Sequence, residues 1–155
     1  MRPIQVIFLL AVFCACSGRS GVGGPLEGDW QLNRERTHYG VGSPPRSRER
    51  FSCVSEEEQV RCEIVGEWED GTRVNGSFEA RYGGKPGPVS GVPDVDAVSI
   101  RRLQPGSAEA TFYFQGRPRF GYRTFKSSDG RSLIVVSIDP ATGRVLNSVV
   151  VYDSL

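Results

Sequence analysis

A single histidine, His38, stands in the whole 155-residue chain. That scarcity excludes, within one chain, a histidine dyad, a histidine-rich metal site and a Ser-His-Asp triad, because each needs an imidazole held by specific partners. His38 sits beside Tyr39 in a polar stretch, and a solvated side chain is the expectation there. An excess of either charge is also missing. With 19 Lys+Arg against 18 Asp+Glu the formal net charge is +1, so the summed field exerts no strong pull on nucleic acid or acidic membrane. Ala and Leu are too few to fill long amphipathic helices, whereas 19 Gly and 10 Pro suit a chain with many tight turns.

What the chain has in quantity is short alternation of apolar and polar residues, punctuated by Gly, Pro and Asp. In Ala108-Glu109-Ala110-Thr111-Phe112-Tyr113-Phe114-Gln115 every even position is apolar, which is the two-residue period of a half-buried strand. The chain is long enough for one self-supporting core and too short for two once a leader and a linker are set aside.

Residues 6–13 form an uninterrupted apolar run after Arg2. At about eight residues it has the length of a signal-peptide core and falls well short of the ~20 of a retained membrane helix. Residues 1–17 are accordingly expected to be a signal peptide, and the protein to be exported to the periplasm, the outer membrane or the medium. The junction Ala15-Cys16-Ser17 resembles a bacterial lipoprotein box, which implies lipidation of Cys16. Cleavage after Ser17, with Ala15 three positions before the cut, fits the same residues. Residues 18–25 hold almost nothing to bury and read as a flexible tether. Their glycines lack the preceding strand and the following helix of a phosphate-binding loop.

Cys53 and Cys62 lie on the apolar sides of two strand patterns, beside Phe51 and Ile64, with the acidic Glu56-Glu57-Glu58 turn between them. A symmetric hairpin sets the two sulfurs opposite one another, and an oxidising compartment favours a disulfide. A redox-active pair wants close spacing and a helix N-terminus, and neither is present.

Strands are expected at 28–33, 47–54, 60–68, 74–82, 95–103, 108–115, 119–126, 133–139 and 145–152, with Gly76 marking a bend or bulge. Residues 34–46 read as a long polar loop and residues 83–94 as a Gly/Pro-rich loop. Turn-length connections make successive strands antiparallel, so the fold class is all-β. The architecture is a single up-and-down barrel of eight to nine strands over residues 26–155, closed to remove its edges. The last two strands are apolar on both faces and call for a cover, from residues 34–46 or from another molecule.

From Gly28-Asp29-Trp30-Gln31-Leu32-Asn33 onward the chain resembles a family of exported, lipocalin-like (calycin-type) bacterial proteins that open with Gly-x-Trp-x-Leu-Asn. The similarity continues through Pro88-Val89-Ser90-Gly91, Pro93-Asp94-Val95-Asp96, Ile100-Arg101-Arg102 and Ser128-Asp129-Gly130-Arg131 to Val149-Val150-Val151-Tyr152. The resemblance implies a calycin-like barrel and secretion, and it carries over no substrate and no catalytic residue. The Cys53 and Cys62 pair and Gly87, where the family usually has an aromatic, depart from its pattern.

Trp30 is expected to plug one end of the barrel. Trp68, Phe112, Phe114, Phe120 and Tyr122 are the candidates for filling the interior or lining a pocket for a hydrophobic ligand, with Tyr113 pointing outward. A pocket of ~300 Å³ or more favours ligand carriage, and a packed lumen favours an interaction module. Arg46, Arg48 and Arg50 are expected to form a basic stripe on one strand face. Asp94 and Asp96 are read as caps of local backbone donors. No catalytic residue, metal site or cofactor is assigned. The expected function is an exported, monomeric, noncatalytic barrel that binds a small apolar or amphipathic ligand at the cell envelope, with any membrane contact made through a lipid on Cys16. A filled barrel acting as an envelope protein-interaction module is the alternative, and an enzyme using Asp94, Asp96 or Glu79 in a barrel cavity the third reading.

Overall fold

The computed structural model describes residues 23–41 and 43–155. The expected signal peptide, Cys16 and residues 18–22 of the tether lie outside the described residues. Alternation in the sequence becomes ten strands: β1 (Gly28–Leu32), β2 (Arg46–Glu56), β3 (Gln59–Trp68), β4 (Arg73–Arg81), β5 (Gly87–Ser90), β6 (Ala97–Gln104), β7 (Ser107–Phe114), β8 (Arg117–Lys126), β9 (Ser132–Ile138) and β10 (Val145–Ser154). Each pairs antiparallel with its sequence neighbours, and β1 closes the barrel against β10 through Trp30↔Ser154 and Leu32↔Tyr152.

The barrel therefore has ten strands where the sequence led to eight or nine. The extra one is β5, inside the segment read as loop, which bridges Phe78↔Val89 on one side and Gly87↔Val98 on the other. Four residues that include Gly87 and Pro88 are too few to display a period. The glycine is needed for fit, since a Cβ at Gly87 would lie 1.9 Å from the Glu79 carbonyl oxygen. Gly76 likewise marks a close approach: its register with Ile64 is regular, and a Cβ there would meet the Ser90 carbonyl at 2.7 Å.

Cys53 and Cys62 face each other in the β2–β3 register and are joined by a disulfide, with Cα atoms 4.2 Å apart. The loop after β1 lies along β10, where His38 and Val149 exchange backbone hydrogen bonds and Val151 N–H donates to Thr37 Oγ1. It runs beside β10 in the sheet, with Val151 buried and the His38 side chain exposed, while Ile134 and Val136 on β9 stay part-exposed.

One end of the barrel is closed by the turn before β1. Gly24, Pro25 and Leu26 are buried, so packed structure begins two residues ahead of the expected domain start at residue 26. Trp30, 2% exposed, donates from Nε1 to the Leu26 carbonyl at 2.9 Å. Lys126 Nζ donates to the carbonyls of Gly24 and Glu27 and lies 5.6 Å from the Trp30 ring centroid. The β2–β3 and β6–β7 turns stand at this end. The opposite end carries Pro44, Trp68, Val92 and Phe120, all part-exposed.

Candidate ligand-binding lumen

Inward positions on each strand follow the two-residue period, and most are apolar. Val74 and Phe78 on β4, Phe112 on β7, Phe120 and Tyr122 on β8 and Ile64 on β3 build one wall. Phe112 meets Phe78 and Tyr122 edge-on, each at 5.9 Å between centroids, and Phe120 stacks on Tyr122 at 6.5 Å.

Two cavities remain among these rings. The first, of about 80 Å³, lies toward the part-exposed end and includes Pro44, Trp68, Val92, Phe120 and Tyr122 in its lining. The second, of about 110 Å³, runs toward the plug and includes Leu26, Phe51, Phe78, Phe112 and Tyr152. Arg46, Glu49, Ile64, Phe112 and Tyr122 line both and form the partition.

Of the aromatics singled out from sequence, Trp68, Phe112, Phe120 and Tyr122 come together around the first cavity. Phe114 lines neither. It shares the parity of Phe112, but β7 ends there, past the irregularity at Phe112/Tyr113, and it pairs with Arg117 beside the β7–β8 turn. Tyr113 faces out and exchanges a hydrogen bond with Ser99 at 3.1 Å.

The opposite wall is polar, which sequence reasoning did not find. Arg46 and Glu49 form an ion pair, Nε to Oε2 at 2.8 Å, with side chains only 11% and 8% exposed. Tyr152 donates its hydroxyl hydrogen to the other Glu49 oxygen, Arg46 Nη1 donates to Ser43 Oγ at 3.2 Å, and the Tyr39 hydroxyl donates to the Arg46 carbonyl at 3.4 Å. Burial pushes the Tyr152 phenol well above its ordinary value; Arg46 opposes that shift and Glu49 adds to it. Burial alone would lower the Arg46 guanidinium, but negative charge beside it, that of Glu49, opposes burial and its value is held high. The cluster is a cation, an anion and a neutral phenol. Farther along this wall, the fully buried Ser137 and Ser148 hydroxyls have no hydrogen-bond partner among the described residues.

Arg46 thus does not belong to a surface stripe. The β2–β3 register shifts between Arg46 and Arg48, and this bulge turns Arg46 to the face of Glu49, Phe51 and Cys53. Arg48 and Arg50 stay outside with Arg73, Gln31, Val65 and Asn75, around a surface groove of about 490 Å³. Glu49 was legible from its parity with Phe51 and Cys53.

None of the carboxylates considered for acid–base chemistry lines either interior cavity. Glu79 pairs with Arg61 at 2.9 Å on the outside, Asp94 is exposed in a turn at φ 54°, and Asp96 accepts the Gln115 N–H at 2.8 Å. Among the described residues no group of three or more His, Cys, Asp and Glu is placed to hold a metal ion. No protein-family model, no curated protein and no solved structure matches the chain.

Proposed function

We propose that this chain is an exported, lipocalin-like, noncatalytic barrel that binds a small apolar or amphipathic molecule in its lumen at the cell envelope. The observation that carries the reading is the two-sided interior, in which aromatic rings face a buried polar cluster across two adjoining cavities. Each cavity is smaller than the about 150 Å³ that admits benzene in another protein, so the occupant is compact, and one the size of a ring must span both by displacing part of the partition between them. The Cys53–Cys62 disulfide is in keeping with an oxidising compartment.

Fluorobenzene titrated into the full protein and followed by ¹⁹F NMR tests this. Saturable binding whose affinity changes in Phe112→Ala, where the partition opens, and stays the same in Tyr113→Ala is the expected result. Absence of saturable binding to the native protein would remove ligand carriage. The second reading, a filled barrel acting through its surface, is favoured by one fact: each interior cavity is well under ~300 Å³, and the larger space is the Arg48–Arg50–Arg73 groove outside.

A further inference from the structure

The lumen is charged but not anion-seeking. Among the described residues that line the two cavities, Arg46 and Glu49 are the ones with ionised side chains, and they neutralise each other at 2.8 Å. One Glu49 oxygen accepts the Tyr152 hydroxyl hydrogen, and the other lies 2.8 Å from Arg46 Nε in a charge contact without hydrogen-bond alignment. An entering carboxylate would face two poor choices. It could stay beside an already compensated guanidinium, desolvated and next to the Glu49 anion. Or it could take Arg46 for itself, leaving Glu49 buried without its counter-charge, the costly outcome for any broken interior pair. A neutral hydroxyl or carbonyl meets neither penalty, because it adds a hydrogen bond to the cluster and leaves the pair intact.

Resting on the lumenal-binding reading above, we infer that the Arg46–Glu49–Tyr152 cluster makes this barrel selective for neutral ligands: an aromatic or short aliphatic body carrying one hydroxyl or carbonyl, with carboxylates excluded. The rings of Phe112, Phe120 and Tyr122 take the body. The cluster takes the polar end. Glu49 is then the specificity-determining residue, since it cancels the one cation that would otherwise attract an acid.

The test uses a matched pair on one skeleton, benzyl alcohol and benzoate, titrated into the full protein by calorimetry at about pH 7, where benzoate is ionised as an ordinary carboxylate is. Fluorobenzene serves as the apolar control. The native protein should bind benzyl alcohol roughly tenfold or more tighter than benzoate. Glu49→Gln keeps the shape of the side chain while freeing the charge of Arg46, so the ratio should collapse or invert toward benzoate. The double variant Arg46→Met/Glu49→Leu should bind benzyl alcohol no better than fluorobenzene. It remains informative if Glu49→Gln alone does not fold. Benzoate binding to the native protein as tightly as the alcohol, while fluorobenzene still binds, would overturn the selectivity and leave the lumenal function standing. Equal alcohol-to-benzoate ratios in the native protein and Glu49→Gln would also overturn it. Failure of all three compounds would overturn both.

Discussion

Removing Glu49 alone should damage this protein more than removing Glu49 and Arg46 together. The Glu49→Leu variant leaves a guanidinium in a site where it is 11% exposed, takes the acceptor away from the Tyr152 hydroxyl, and supplies nothing in return. Breaking one side of a buried pair costs about 3–5 kcal/mol, which for a domain of this size lowers the melting temperature by roughly 10–20 °C. Arg46→Met strands the Glu49 carboxylate in the same way and should cost a similar amount. The double variant Arg46→Met/Glu49→Leu fills the volume with apolar atoms and leaves no charge behind but still strands the buried Tyr152 hydroxyl, so it should lie about 1–3 kcal/mol below the native protein. The cycle closes on an interaction energy of at least ~3 kcal/mol. Urea unfolding followed by circular dichroism and by tryptophan emission measures all four corners. A cost below ~1 kcal/mol for Glu49→Leu would refute the reasoning, because a charge so lightly penalised is in contact with water.

Reducing the Cys53–Cys62 bridge, or replacing both cysteines by serine, should lower stability by about 2–3 kcal/mol, the value for a short closed loop; unchanged urea midpoints with and without reductant would contradict it. Gly87→Ala forces a methyl group toward the Glu79 carbonyl and should cost about 1–3 kcal/mol as β5 is pushed from β4, read as a lower urea midpoint; an unchanged midpoint would contradict it. Glu109 has a depressed carboxyl: burial raises it, but hydrogen bonds and charge from Arg123 and Arg101 outweigh burial. A folded value below the unfolded one means that its contribution is complete above its ordinary value of 4.5 and is lost as pH falls through the folded value. Thermal melts across the acid range should therefore show a shallower loss in Glu109→Gln than in the native protein, and parallel curves would contradict the assignment.

The alternation that runs through residues 108–115 and its neighbours was enough to reach an all-β antiparallel barrel, since inward and outward positions follow directly from a period of two. The apposition of Cys53 and Cys62 came from the same parity applied to a hairpin. Where the period was broken or too short, sequence reasoning failed for a physical cause. β5 carries four residues, and its place depends on a backbone contact with Glu79 that leaves no mark except a glycine. Alternation with Arg48 and Arg50 places Arg46 at the surface because it takes no account of a bulge. Phe114 has the right parity but lies where β7 stops, so the layer that encloses Phe112 does not extend to it. Glu49 could have been read as interior from Phe51 and Cys53. A charged residue in a core becomes plausible only when its partner is known, and the partner, Arg46, is turned inward only by the bulge.

The claim that the lumen is a binding site is tested most directly by a crystal structure of the protein soaked with benzyl alcohol. The account predicts density for the ring against Phe112 and Tyr122, its hydroxyl within hydrogen-bond distance of Arg46 or Glu49, and an unbroken Arg46–Glu49 pair. An unchanged lumen, with the compound absent or seated only in the outer groove beside Arg50 and Val65, would contradict it.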